Sequence, residues 1–200
     1  MIRIFPIPYV VVAAVALGAC GHVPVSTLYK LWSFDAATAD PAVLRAAVRY
    51  PSVLMPRANG VVLSFSSWAE GETDHHKRDF ALEETREAAE VVVLAHYKRP
   101  GETVTAYRLS DADAEKVRKL QAEHLELKRS RGGQAHGEIT VKADACHQGP
   151  LPAGEILAST YLKVSVKDGY LPIVEDVDLR SELGEAALNE HVPPCGGNRP

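Results

Sequence analysis

The sequence predicts an α+β fold, a largely antiparallel sheet with two main helices packed on one face. Three observations carry this. Several segments alternate apolar and polar residues with period two, the habit of antiparallel strands with one wet face. A long amphipathic segment from Asp111 to Arg131 has both a start and a stop signal. Asp168-Gly169 is a hairpin turn signal between two of the alternating segments.

In chain order, Thr27 to Phe34 is apolar and aromatic and reads as a strand. Asp40-Pro41 is a helix start, with Asp40 as N-cap and Pro41 at the first helical position. The spacing of Val43, Leu44, Ala47 and Val48 then predicts a helix over Pro41 to Tyr50, stopped by Pro51. Val61, Leu63 and Phe65 alternate with polar or smaller residues and mark a half-buried strand from Val61 to Ser66. The polar run Glu70 to Arg78 is a hairpin-like loop returning in Asp79 to Glu83. Residues 84 to 96 pull both ways: Glu84 to Glu90 is helix-prone, whereas Val91-Val92-Val93-Leu94 prefers a strand, and a short helix or irregular segment is expected. Arg99-Pro100-Gly101 is a turn into a strand from Thr103 to Leu109.

The clearest element opens at Ser110, with Asp113 three residues on, and closes at Gly132-Gly133. Val117, Leu120, His124 and Leu127 form its apolar stripe, and Glu115 and Lys119 are placed to pair across one turn. Next, Ile139, Val141, Ala143 and Ala145 alternate with charged and polar residues. A longer strand sets Ile156, Ala158, Thr160, Leu162, Val164 and Val166 on one face, leaving Tyr161 and Lys163 outward as a candidate contact surface. Pro172 makes the return segment an edge strand.

The first twenty residues are of another kind. Arg3 is followed by the apolar run Tyr9 to Leu17, then Gly18-Ala19-Cys20. A basic start, a short apolar core and small residues at a cleavage site describe a secretory signal. The run is about half the roughly 20 residues a bilayer-spanning helix needs. Leu17-Gly18-Ala19-Cys20 resembles the lipobox of bacterial lipoproteins. That resemblance implies that residues 1 to 19 are a signal peptide cut before Cys20. It also implies that the Cys20 thiol carries diacylglycerol, and its new amine an acyl chain such as palmitate. Residues 20 to 27 are then a lipidated terminus and tether, and 28 to 200 a single α+β domain. Gly21, where inner-membrane lipoproteins often have aspartate, implies the outer membrane, with the domain in the periplasm. The mature chain also resembles small alphaproteobacterial lipoproteins at His22-Val23-Pro24-Val25-Ser26-Thr27, Asp40-Pro41 and Thr160-Tyr161-Leu162, a resemblance that brings no activity with it.

Without residues 1 to 19 the chain has 21 basic and 26 acidic residues, a formal charge of −5. That balance gives no electrostatic footprint for nucleic acid, so attachment to a membrane falls to the lipid. With Cys20 assigned to lipid, Cys146 and Cys195 remain, and outside the cytoplasm an even pair reads as a disulfide. The alternative uses the same cysteines with His147 and His191 as zinc ligands, but adjacent residues seldom ligate one ion together and the spacing fits no finger pattern.

No Gly-x-Ser-x-Gly, His-Glu-x-x-His, Walker loop or Gly-x-Gly-x-x-Gly occurs in the mature chain. Asp74-His75-His76-Lys77-Arg78-Asp79 offers metal-ligand types, yet neighbours in a loop splay apart and two cations sit among them. His124 reads as a hydrogen-bonded core residue, with a catalytic base in a cleft as the alternative. Glu175-Asp176-Val177-Asp178 lacks the ligand count and glycine of a calcium loop and reads as negative charge guarding an edge strand. No catalytic residue, metal site or cofactor is assigned. The reading is a membrane-anchored envelope lipoprotein, a binding or structural module for another envelope protein; the alternative is a lipid-anchored hydrolase or metal-dependent enzyme.

Overall fold

The computed structural model describes residues 38–73, 76–167 and 169–196. The signal segment, Cys20, the tether and the strand expected at Thr27 to Phe34 lie outside the described residues. So do Asp74, His75 and Asp168.

Among the described residues, eight strands form two antiparallel sheets. They are β1 Arg45–Pro51, β2 Leu54–Ala69, β3 His76–Ala81, β4 Glu83–Thr85, β5 Glu102–Arg108, β6 Ala135–His147, β7 Leu157–Lys163 and β8 Tyr170–Asp178. The larger sheet runs β4-β5-β1-β7-β8 and the smaller β3-β2-β6. The described helices are α1 Ala88–Leu94, continued by a 3₁₀ turn at Ala95–Tyr97, α2 Asp111–Ser130 and α3 Leu179–His191. The α+β class with antiparallel pairing therefore holds, but the strands divide into two sheets. None of the described helices is long and apolar enough to cross a membrane.

The expected helix over Pro41 to Tyr50 is instead β1, a central strand between β5 and β7. Its start signal is real but local. The Asp40 side chain accepts the Ala42 N–H at 3.0 Å and its carbonyl the Val43 N–H at 3.0 Å, which turns the chain once before the strand begins. The near-continuous apolar run that followed belongs to a strand buried on both faces. Ala46, Val48 and Tyr50 face the smaller sheet with Leu63, Phe65 and Leu162, while Ala47 faces the opposite layer with Ala106, Tyr161 and Tyr170. With a strand in place of that helix, the packing of two main helices on one face is not confirmed among the described residues.

That opposite layer is α1 and the turn after it. Leu94 and Tyr97 close over Tyr161, with the Tyr97 and Tyr161 ring centroids 4.7 Å apart, and Tyr97 donates to the Tyr170 carbonyl at 2.9 Å. The face assigned to solvent is thus covered. Tyr161 is 0% exposed, and the Lys163 ammonium reaches Glu90 of α1 at 2.7 Å. The Tyr161 and Lys163 contact surface is thereby corrected. β7 also ends at Lys163, short of Val166, which is 76% exposed.

Helix α2 follows the sequence closely. Ser110 accepts the Asp113 N–H at 3.1 Å as N-cap, and Gly132 and Gly133 turn the chain away at φ 61° and 91°. Glu115 pairs with Arg118, not Lys119. Its buried stripe of Ala114, Val117, Gln121 and His124 packs against β2 and β6 of the smaller sheet. Unforeseen is α3, capped by Asp178, whose carboxylate accepts N–H groups from Arg180 and Ser181. The helix bends at Gly184, φ 75°, and buries Leu188 completely.

Candidate functional site: a cleft between α2 and the smaller sheet

The alternation of β2 turns Phe65 and Ser67 to the inner face of the smaller sheet. Cross-strand pairing sets Arg78 and Ile139 beside Phe65, and His76 and Gly137 beside Ser67. Helix α2 crosses above them and lowers His124 onto this spot. The His124 ring lies against Gly137, where an added Cβ would come within 3.3 Å of Cε1, so glycine at this point makes room for the imidazole. His124 Nδ1 and the Ser67 hydroxyl are 2.7 Å apart, and both residues are buried.

Between this pair and the α2 side chains Leu120, Glu123 and Leu127 lies a cleft of about 310 Å³. Its floor holds Phe65 and its rim Glu72, His76 and Arg131. Glu72 is committed to structure, accepting the Ala69 N–H at 3.1 Å and pairing with Arg131 at 3.2 Å. The histidine thus has both features weighed for it, a core hydrogen bond and a place in a cleft. Of the histidines expected in the surface loop, His76 reaches this rim as the first residue of β3.

A second polar cluster lies beneath α1. Arg49, 3% exposed, projects from the outer face of β1. Its guanidinium pairs with Asp176 and with Glu102 at 3.1 Å, and donates to the Ser159 hydroxyl at 2.9 Å. Asp176 reaches it because β8 is irregular there: its φ is 54°, the β7–β8 register shifts nearby, and its N–H donates to Ser159 at 3.0 Å. Arg99 closes on the same carboxylate at 2.8 and 3.0 Å. Burial pushes the Asp176 carboxyl up, but Arg99 and Arg49 outweigh it and hold the group below the usual carboxylate range. The charge expected to guard an edge is therefore a buried arginine's counter-ion. Asp178 is likewise a cap for α3 and accepts the Ile156 N–H at 2.8 Å.

Cys146 and Cys195 form a disulfide across a sequence separation of 49. Backbone bonds reinforce it: the His147 N–H donates to Pro193 at 3.0 Å and the Cys195 N–H to His147 at 2.9 Å. With both sulfurs bonded to each other, no thiolate remains for the zinc arrangement with His147 and His191. Among the described residues, no group of three or more His, Cys, Asp or Glu side chains could hold a metal ion.

Sequence reading singled out His124 but missed its companions. Ser67 lay one step beyond the strand assigned to residues 61–66, and Gly137 lay just ahead of the alternation read from Ile139, although a glycine leading into an alternating segment is itself a sign of close approach. Arg49 was hidden inside the supposed helix. No protein-family model, no curated protein and no solved structure matches the chain, so its function is argued from its own residues.

Proposed function

We propose that this chain is a lipid-anchored lipoprotein of the cell envelope, tethered through Cys20, whose folded domain serves as a binding or structural module in the periplasm. The observation that carries the proposal is the Cys146–Cys195 bond. Disulfides persist in oxidising compartments, and the third cysteine is the one that follows the apolar leader at the Leu17-Gly18-Ala19-Cys20 motif. Two or three acyl chains, at about 0.8 kcal/mol per buried methylene, make such an anchor effectively permanent. The outer membrane is the proposed location, on the strength of Gly21.

An exposed apolar surface supports the binding role. On α1, Val91 and Val92 are 55% and 67% exposed, and a groove of about 450 Å³ runs beside them over Thr103 to Ala106 of β5. β-branched residues gain little from a seven-residue helix standing alone. Another envelope protein covering them would remove that apolar surface from water. Substituting Cys20→Ser tests the anchor in cells: the protein is expected to leave the membrane fraction and become soluble, and retention in the membrane would refute it.

The Ser67–His124 pair favours a second reading, a hydrolase with Ser67 as nucleophile. It is the poorer fit. Ser67 is almost fully buried, and the nearby Glu72 is engaged by Arg131 and the Ala69 N–H. A fluorophosphonate probe decides between them; the binding reading expects no labelling of Ser67, and stoichiometric labelling abolished by His124→Ala would establish the hydrolase.

A further inference from the structure

We infer that the free edge of β6 pairs with the same edge of a second copy of this chain, across a dyad axis at Thr140. In the smaller sheet β6 is bonded to β2 alone, so one side of a strand of 13 residues has no neighbouring strand. The hydrogen bonds flanking it show which residues face that side. The Gln134 carbonyl accepts from Glu70 and the Gln148 N–H donates to Val53, so even-numbered residues bond toward β2. His147 bonds the other way, to Pro193 and Cys195 of the tail. By the same alternation Gly137, Ile139, Val141 and Ala143 present their N–H and C=O groups to the open edge, where no described residue bonds them.

The side chains between those groups select the occupant. Even-numbered residues stand on the outer face, with His136, Glu138, Lys142 and Asp144 exposed and Thr140 half-buried. Antiparallel pairing across an axis at Thr140 sets Glu138 of each copy against Lys142 of the other, and His136 against Asp144. Neither Glu138 nor Lys142 has an ion pair with a described residue; Lys142 acts on Asp79 through space alone. These are non-hydrogen-bonded positions, where facing Cα atoms lie about 4.5 Å apart and side chains meet most closely. The backbone is satisfied in the same register, since Ile139 then faces Val141 and Gly137 faces Ala143, each pair exchanging N–H···O bonds. An axis one residue either way sets His136 against Lys142 or Glu138 against Asp144. An axis at Ala143 joins Lys142 to Asp144 but needs the edge at His147, which the tail already holds.

On the inner face, Ile139 and Val141 are partly buried against the core, and the partner's copies of them cover the flanks that the sheet edge leaves open. The other described edges suit a neighbour less. Strand β4 has three residues, β3 has six, and β8 carries Pro172 and an irregular register. A second copy is a partner beyond the envelope protein proposed for α1, on a different surface, and the pairing does not rest on lipid at Cys20.

The test is a charge swap in the full chain, read by sedimentation equilibrium of the purified protein. The parent is expected to associate reversibly as a dimer. Glu138→Lys sets like charges opposite one another on both sides of the axis and is expected to weaken association at least about fivefold, as is Lys142→Glu. The two together are expected to restore it to within about twofold of the parent. A monomeric parent, a Glu138→Lys chain that associates as the parent does, or a double variant that stays weak overturns the inference. Both side chains are exposed, so neither change burdens folding. Thr140→Cys locates the axis: oxidation with copper phenanthroline is expected to give a covalent dimer whose linked peptides both contain position 140. A covalent product with another protein, or none, overturns it. Neither readout depends on the lipid, so failure here is distinguishable from failure of the anchor.

Discussion

At the level of single residues, two buried polar groups organise the molecule. Arg49 is a full charge removed from water, and it is tolerated because Asp176, Glu102 and Ser159 surround it. Arg49→Ala strands that arrangement, and urea unfolding is expected to show a loss of about 3 kcal/mol, toward the lower end for such pairs because Asp176 is partly exposed. A loss below ~0.5 kcal/mol would mean the cluster does not hold the sheet. The other group is His124. Gly137→Ala forces the imidazole to shift from a 3.3 Å contact, and overpacking of this sort costs roughly 1–3 kcal/mol. Combining it with His124→Ala is expected to recover part of that cost relative to the sum of the single changes, which a double-mutant cycle reads directly.

At the level of elements, the sequence was most legible where a local signal and a long period coincided. Helix α2 has a cap and a glycine stop where the residues put them, and its stripe holds in part: Val117 and His124 are buried, but with Ala114 and Gln121 in place of Leu120 and Leu127. Ser110→Ala, which removes the cap, is expected to lower stability by about 1 kcal/mol, measured as a shifted urea midpoint at unchanged slope. Strand β1 was illegible for a physical reason: a strand covered on both sides has no alternation, and apolar residues at 43, 44, 47 and 48 satisfy helix spacing equally well. Strand β7 failed in the opposite sense. Tyr161 and Lys163 do alternate with the core residues, but the layer that covers them is α1, whose valines promised a strand. The cleft was half legible, since His124 sits on a readable stripe while its partner Ser67 is brought in from 57 residues away. Only tertiary structure makes that pairing.

At the level of the whole molecule, the disulfide and the carboxylates set the conditions under which the domain lasts. Cys146 and Cys195 close a loop of about 50 residues, and the chain-entropy model assigns such a bridge roughly 4 kcal/mol. Reduction should lower the denaturation midpoint by a corresponding amount and release the C-terminal tail first. Acid acts through Asp176, Asp178 and Asp113. Lysine and hydroxyl bonds hold Asp113 low, the Ser181 hydroxyl and Ile156 N–H hold Asp178 low, and for Asp176 the two arginines overcome burial. Because these folded values lie below the unfolded value of about 3.9, their contribution is complete above that pH and is lost as pH falls through the folded values. Stability is therefore expected to be flat with respect to these groups from pH 5 to 7 and to fall below about pH 4, as read by thermal denaturation across a pH series.

The central claim is that this domain is exported and held to a membrane by lipid at Cys20. Intact-mass analysis of the protein purified from its native membrane, without reductant, tests it most directly. The account predicts a chain beginning at Cys20 and carrying diacylglycerol plus acyl mass, which gains about 2 Da on reduction as the Cys146–Cys195 bond opens. A chain that begins elsewhere, or begins at Cys20 without acyl mass, would contradict it.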